Sequence, residues 1–501
     1  MRISRRTALR RSAGMAAAAA LAQGYADSPA SAVPAAAHQG WDADEAAWRE
    51  LGRILGAGAY LHRPGGQGYL ASASADNQRY AAVRPAGIVM CAAESDVVKA
   101  VRWAARHGVP FAVRSGGHNY AGYSTTTGLV INLRAMKQVT PKGRRLHLGG
   151  GATNSDVYAA RDAGLYFPGG RCPGVGVAGL TLGGGLGFND RKWGLTCDRL
   201  AETRLVLADG TVVRAAADEN PDLFWACRGG AGGNFGINTA FTFDAVPVGR
   251  LRATVFDLTF ALASAVDVVA EVQDILAGDG AGDFDVRIGF KHNGQSTTSL
   301  WVLGQFIGPQ DRLRRLLTPL LALRPRRSFI EERGFWSAQD YLMENPGAKD
   351  CYASKSLVPD RWLAPGTVAE IAEWTRTWRP GPAKATGYVT LFAMGGTSDS
   401  PRPDETAYPH RDGTYVIDIG THWQPGTPPA EVNSLLAQTR SAHRLLRNRL
   451  DTDAAYVNFP DPDLTDWRRA YYGANHDRLA EVKRRYDPAG LFRYAQAIGT
   501  D

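Results

Sequence analysis

Cys172-Pro173-Gly174-Val175-Gly176-Val177-Ala178-Gly179-Leu180-Thr181-Leu182-Gly183-Gly184-Gly185-Leu186-Gly187 holds seven glycines in sixteen residues. Glycine loses more backbone freedom on ordering than any other residue. The stretch is therefore expected to have no stable regular structure and to be held by a ligand lying flat against it. Cys172 opens it beside a proline that stiffens its placement, although an isolated cysteine also serves as a small buried hydrophobe. Upstream, Phe111–Arg114 reads as a short strand, broken by Ser115-Gly116-Gly117-His118-Asn119-Tyr120. There the backbone N–H groups can converge on an anion such as a pyrophosphate. Alone, this loop is equally a tight turn, and His118 equally a satisfied loop imidazole. No G-x-G-x-x-G follows a strand and opens a helix, so a Rossmann site is excluded.

The rest of the 501-residue chain fits around these two stretches. Its length suggests two domains or three. With 44% hydrophobic and 21% charged residues it is neither a disordered tail nor a membrane bundle. Residues 1–32 read as an export signal: Ser4-Arg5-Arg6-Thr7 is a twin-arginine pattern, followed by a short alanine-rich stretch and small residues at 28–32. The formal charge of +8 falls to +4 once the five arginines and single aspartate of that segment are removed. No Lys/Arg run with interleaved aromatics is present, so nucleic acid is not an expected partner. No other segment reaches eighteen apolar residues, so no membrane association is expected after signal removal. The five cysteines include no C-x-x-C pair, and His62, His107, His147 and His476 lack companions at ligand spacing, so no metal is expected.

Residues 77–248 alternate β-branched runs, helical stretches and glycine loops. A helix is expected over 97–107, ended by Gly108, and a strand over 128–133. Asn154 is positioned to cap a helix running to Ala163. Asp209-Gly210 joins two runs, 204–208 and 211–215, as a hairpin. From about 250 to 440 glycine thins. Runs at 284–290, 299–306, 387–392 and 414–419 read as strands, and 263–276 and 368–378 as helices. They suggest a mixed or antiparallel sheet covered by helices. Residues 445–498 turn helical again, with Leu479, Val482 and Tyr486 on one face and Glu481 spaced to pair with Arg485.

Together, Arg114-Ser115-Gly116-Gly117-His118 and the stretch opened by Cys172 resemble the berberine-bridge-enzyme-like branch of the FAD-linked oxidases. That branch has the vanillyl-alcohol-oxidase, or PCMH, type of FAD-binding fold. The likeness continues through residues 193–198, Asp209-Gly210, 222–226 and 229–237. It resumes at Tyr456-Val457-Asn458, Tyr471-Tyr472-Gly473, Arg478-Leu479, Tyr486-Asp487-Pro488 and Phe492-Arg493, leaving the middle only loosely familiar. The resemblance implies an α+β architecture: a two-lobed FAD domain over 40–248, a substrate domain over 249–444, and a segment at 445–501 returning to the FAD domain. It also implies FAD joined doubly, His118 to the flavin 8α-methyl and Cys172 to flavin C6. Arg114, Ser115, Gly116, Gly117, Asn119 and Ser124 would contact the cofactor from the first side. Gly174, Val175, Gly176, Val177, Gly179, Gly183, Gly184 and Gly187 would do so from the second, with Gly236, Ile237, Tyr456 and Asn458 completing the set. The flavin would carry the redox chemistry while the protein holds and tunes it.

Departures from the family pattern bear on the reaction. Many relatives continue Tyr-x-Asn into a second tyrosine, the usual base for the substrate hydroxyl; here it is Phe459, which has no proton to exchange. Tyr388 and Asp418, on expected strands, are the candidate catalytic residues. Burial would raise the Asp418 pKa to a useful range, whereas an edge-strand carboxylate facing water would have no such role. Leu180 stands where many relatives have histidine. Val177 is small, as in relatives whose flavin stays open to dioxygen. The expected activity is that of a secreted oxidase taking hydride from a carbohydrate or secondary-metabolite alcohol or amine and passing it to O2 to give H2O2. The partners would be that small substrate and O2, and the protein a monomer or weak oligomer. Oxidative ring closure and a catalytically silent flavin carrier are the rival readings.

Overall fold

Leu129-Val130-Ile131-Asn132 is buried along its whole length, the signature of a strand enclosed in a parallel pair. The computed structural model describes residues 43–294, 297–345, 347–382 and 384–500, so the expected export signal lies outside the described residues. In it Tyr60–His62 (β1), Gly87–Met90 (β2), Phe111–Arg114 (β3) and Leu129–Asn132 (β4) form a sheet in the order β1-β2-β4-β3, with β2 and β3 parallel to β4. The helix after β2 spans Glu94–Arg106, beginning three residues before the expected start. Asp96 accounts for the difference. Its carboxylate accepts the backbone N–H groups of Ala92, Ala93 and Gly56, closing the first turn over a less apolar sequence than periodicity requires.

A second sheet contains Val139–Lys142 (β5), Arg145–Gly149 (β6), Leu200–Val206 (β8), Val212–Ala216 (β9) and Ile237–Asp244 (β10), ordered β5-β6-β10-β8-β9 and antiparallel throughout. Leu165–Tyr166 (β7) pairs with Val246–Pro247 (β11) beside it. The β8–β9 hairpin turns at Asp209-Gly210 as expected. Two sequence expectations change here. The helix Asn154–Ala159 is capped by Thr153, whose N–H and hydroxyl both donate to Asp156, while Asn154 donates to the Cys172 carbonyl at 3.0 Å. The glycine-rich stretch is not wholly irregular: Val177–Leu182 forms a short helix. Its glycines concentrate on the flanks, leaving only Gly179 inside the helical turns, so the entropic penalty falls mostly outside them.

The central segment builds a third sheet from Arg252–Phe260 (β12), Phe284–His292 (β13), Thr298–Phe306 (β14), Arg327–Gly334 (β15), Cys351–Leu357 (β16), Thr386–Ala393 (β17) and Tyr415–Trp423 (β18). Its order is β15-β12-β14-β13-β17-β18-β16, and every pairing is antiparallel, so the mixed alternative is set aside. Side chains alternate across a strand, and the two faces differ. Val389, Leu391 and Ala393 of β17 and Ile417 and Ile419 of β18 join a core with Val268, Val272, Val368 and Ile371 of the covering helices. Tyr388, Thr390, Phe392 and Asp418 point the other way, into a cleft.

The C-terminal residues pack back into the core of the second sheet, where Tyr471, Leu479, Val482 and Tyr486 join Leu146, Phe241 and Phe243. Arg485 pairs with Asp222 at 2.8 Å instead of Glu481, because tertiary contact brings a carboxylate closer than the helix neighbour. Arg411 is sealed in at 2% side-chain exposure, donating to both Asp198 oxygens at 2.8 and 2.7 Å. Replacing it by Met (Arg411→Met) leaves a nearly buried carboxylate without its partner. The expected loss is about 3–5 kcal/mol, read as a lowered urea midpoint. Adding Asp198→Asn should recover much of it.

Candidate active site

The loop after β3 and the glycine-rich stretch meet backbone to backbone. A Cβ added to Gly116 would lie 2.2 Å from the Gly176 nitrogen and 2.5 Å from the Gly174 oxygen; one on Gly174 would lie 2.8 Å from His118 Nε2. Ser115 fixes the loop by donating to the Gly150 carbonyl at 2.7 Å, and Asn119 by accepting the N–H groups of Ala121 and Tyr123. Arg114 braces the loop: its guanidinium donates to the carbonyls of Ser124, Ser72 and Ala73 and holds three chain segments together.

This junction places His118 and Cys172, distant in sequence, on one cleft of about 1700 Å³. That is larger than a single small-ligand pocket of ~300–1,000 Å³ and leaves room for a dinucleotide together with a substrate. Arg114, Ser115, Gly116, Gly117, Asn119, Ser124, Gly174, Val175, Gly176, Gly179, Gly236, Ile237, Tyr456 and Asn458 line the cleft as well. Val177, Gly183, Gly184 and Gly187 do not line it. Val177 is buried in the core behind, so its size says nothing about access to the cleft, whereas Val175 is half-buried and lines it. Gly183, Gly184 and Gly187 pack against Asn458, Tyr408 and Tyr456, and Gly169. Tyr456 OH accepts the Gly185 N–H at 2.9 Å, and Asn458 donates to the Leu180 carbonyl at 2.9 Å, so the C-terminal segment props the stretch from below.

The opposite wall is the polar face of the central sheet. Asp418 lies on an interior strand and is 5% exposed, not on an edge facing water. It accepts from Ser354 Oγ, and Tyr388 OH donates to it at 3.4 Å. Gly420, opposite Tyr388, leaves space for that ring, since a Cβ there would meet Tyr388 OH at 2.2 Å. Burial lifts the Asp418 carboxyl to about 6 against the opposing pull of Ser354, His422 and Tyr388. Burial, and next the Asp418 charge, push the Tyr388 phenol well above its usual value, so it stays a neutral donor. Phe459 stacks on Tyr120 at 5.2 Å and also faces Phe392 and Tyr456. His118 Nδ1 sits 3.3 Å from Asp76, which accepts from Tyr352 OH at 3.2 Å. Arg287 lies between the rings of Phe188 and Phe392 and donates to the Gly187 carbonyl. Asp76, Tyr352, Arg287 and Glu344 join this site from four separate segments, with no spacing or motif to announce them.

The lining fits a flat ligand rich in polar groups. The side-chain polar atoms of Tyr123, Ser124 and Thr125, with Asn154 Oδ1 and Arg287 Nε, are buried there without a hydrogen-bond partner, a costly state unless a ligand supplies one. A Cβ on Gly179 would meet nothing within 4 Å, so a ring can approach the backbone closely at that point. Among the described residues no cluster of His, Cys, Asp or Glu is arranged for a metal ion, and no helix is long and apolar enough to cross a membrane.

Comparison with known proteins agrees with this geometry. Residues 85–216 match the family model of an FAD binding domain, and residues 455–499 that described as berberine and berberine like. An uncharacterised FAD-linked oxidoreductase of Bacillus subtilis is 33% identical over 423 residues, covering 82% of this chain and 90% of its own. The (R)-6-hydroxynicotine oxidase of Paenarthrobacter nicotinovorans is 31% identical, covering 82% of this chain and 90% of its own. The xylooligosaccharide oxidase of Myceliophthora thermophila C1, solved with xylobiose, superposes with a TM-score of 0.79 at 26% identity, covering 91% and 99% of the two chains.

Gly116→Ala tests the loop junction. Overpacking against backbone that cannot yield costs ~1–3 kcal/mol, so the FAD-to-protein absorbance ratio of the purified variant should fall about tenfold, with the far-ultraviolet dichroism retained.

Proposed function

The chain belongs to the berberine-bridge-enzyme-like FAD-linked oxidoreductases, and we propose that it is an exported oxidase of small-molecule alcohols that holds its FAD through both His118 and Cys172. The observation that carries this reading is the convergence of that imidazole and that thiol on one cleft, opposite a wall bearing Asp418 and Tyr388. Bound FAD would supply the hydride acceptor, with dioxygen as the final acceptor and H2O2 as the product. Two attachments suit a protein that works in dilution outside the cell, and Ser4-Arg5-Arg6-Thr7 supports export after folding.

Asp418 is the proton acceptor for the substrate hydroxyl, taking the part that Phe459 cannot play. Its carboxyl titrates near neutrality because it is buried, and Tyr388 supplies a neutral donor that orients the substrate oxygen. Tyr120, Phe459 and Phe392 form an aromatic floor that excludes water and offers faces to a sugar or heterocyclic ring. The open cleft and the polar sheet face suit a carbohydrate hydroxyl or a secondary-metabolite alcohol or amine, the two classes represented by the xylobiose-bound and hydroxynicotine-oxidising relatives.

Acid-precipitated protein should stay yellow. His118→Ala and Cys172→Ala should each retain flavin through the remaining attachment, and only the double variant should release it all. Complete release from the wild type would sink the covalent reading. In turnover, the ionised form of Asp418 is the active one and exists above its raised pKa of about 6. kcat/KM should therefore be level above pH 7 and fall about tenfold per unit below 6. Asp418→Asn should flatten that limb and lower kcat by about 10²–10⁴, and Tyr388→Phe should lower it at least about tenfold. Anaerobic bleaching of the flavin by each substrate measures both. Unchanged reduction in Asp418→Asn would assign the base elsewhere.

A further inference from the structure

One carboxylate in the cleft has no part in the reaction described above. Glu344 follows the helix Phe335–Leu342, and its Oε2 accepts from the Cys172 thiol at 2.6 Å. Two further ties hold it there: its backbone N–H donates to the Arg171 carbonyl at 3.1 Å, and Arg171 Nη2 lies 3.3 Å from Oε1. Among the described residues it is the only side chain hydrogen-bonded to that sulfur. Burial lifts the Glu344 carboxyl, but Arg171, the thiol and Arg287 outweigh it, so the group stays ionised, below the usual carboxylate range. Burial first, and the Glu344 charge next, push the Cys172 thiol up to about 12. A free thiolate is therefore scarce, and the sulfur becomes a nucleophile only while a neighbour takes its proton. The other four cysteines, Cys91, Cys197, Cys227 and Cys351, are buried and free; Cys197 also donates to an arginine-held carboxylate, Asp198, at 3.5 Å, but it lies in the core and does not line the cleft.

We propose that Glu344 is the proton acceptor through which Cys172 forms its bond to the flavin, a role that rests on the double attachment inferred above. The S–H bond breaks and its proton goes to the Glu344 carboxylate. The sulfur bonds to ring carbon C6, whose hydrogen leaves as a second proton. The two electrons set free by this bond formation pass with two protons to dioxygen, giving one H2O2, so the cofactor ends at the oxidation level at which it entered. Arg171 acts as a positioning residue, keeping the carboxylate turned toward the sulfur.

The test is the chemical state of Cys172, not turnover. Full-length wild type, Glu344→Gln and Glu344→Ala are produced with FAD in excess, sampled over time, denatured and alkylated with iodoacetamide, and the peptides carrying His118 and Cys172 are weighed. In the wild type Cys172 should carry flavin. In Glu344→Gln the flavin should remain on His118, showing an intact cleft, while Cys172 is alkylated because the thioether forms about a hundredfold more slowly. Added formate should restore the thioether in Glu344→Ala. Thioether formation in Glu344→Gln at the wild-type rate overturns the role of Glu344 while leaving the double attachment standing. Loss of both attachments in both variants, or no response to formate, also overturns it by reducing Glu344 to a structural residue. An alkylated Cys172 in wild type whose flavin hangs on His118 alone removes the thioether itself, and this proposal with it.

Discussion

The cleft depends on one steric constraint, the contact of the Gly116 backbone with the backbone of Gly174 and Gly176. Peptide groups cannot give way as flexible side chains can, so neither loop tolerates even a methyl group at that point. Because the loops touch without side chains between them, the residues just beyond, His118 and Cys172, share one cavity. The hydrogen bonds of Ser115, Asn119 and Arg114 serve this arrangement from outside, with Arg114 in particular acting as a brace.

The central sheet obeys a different rule. Its strands carry apolar residues at alternate positions, and these bury against the helices Ala265–Gly278 and Pro365–Thr377. The intervening positions are thereby forced into the cleft, which is how Tyr388 and Asp418 come to face the ligand space from neighbouring strands. Asp418 is lifted toward neutrality by the same burial that packs the sheet, so its chemistry follows from its place on an interior strand.

The parts of the molecule legible in its sequence were those with local causes. The β3 strand, the Asp209-Gly210 hairpin, the alternation of β17 and β18, and the apolar face of the last helix all follow from spacing within a few residues. So did the pairing of the His118 and Cys172 stretches, through their resemblance to a family. What stayed hidden depended on contacts across the fold. Asp96 moved a helix start by drawing in Gly56, Asp222 took Arg485 from Glu481, and Val177 was carried into the core by a short helix that its flanking glycines concealed. Glu344, Asp76, Tyr352 and Arg287 reach the site singly from distant segments, and no local pattern marks them.

The return of the C-terminal segment to the second sheet has a temporal consequence. Tyr456 OH supports Gly185, and Leu479 sits in one core with Leu146 and Phe243, yet the whole central segment, residues 249–444, is translated in between. At ribosomal speeds of roughly 5–20 residues per second, the glycine-rich strip waits tens of seconds after emergence for its prop. The nascent N-terminal lobe must therefore persist half-built, and the cleft is completed only after Tyr456 and the residues that follow it have emerged.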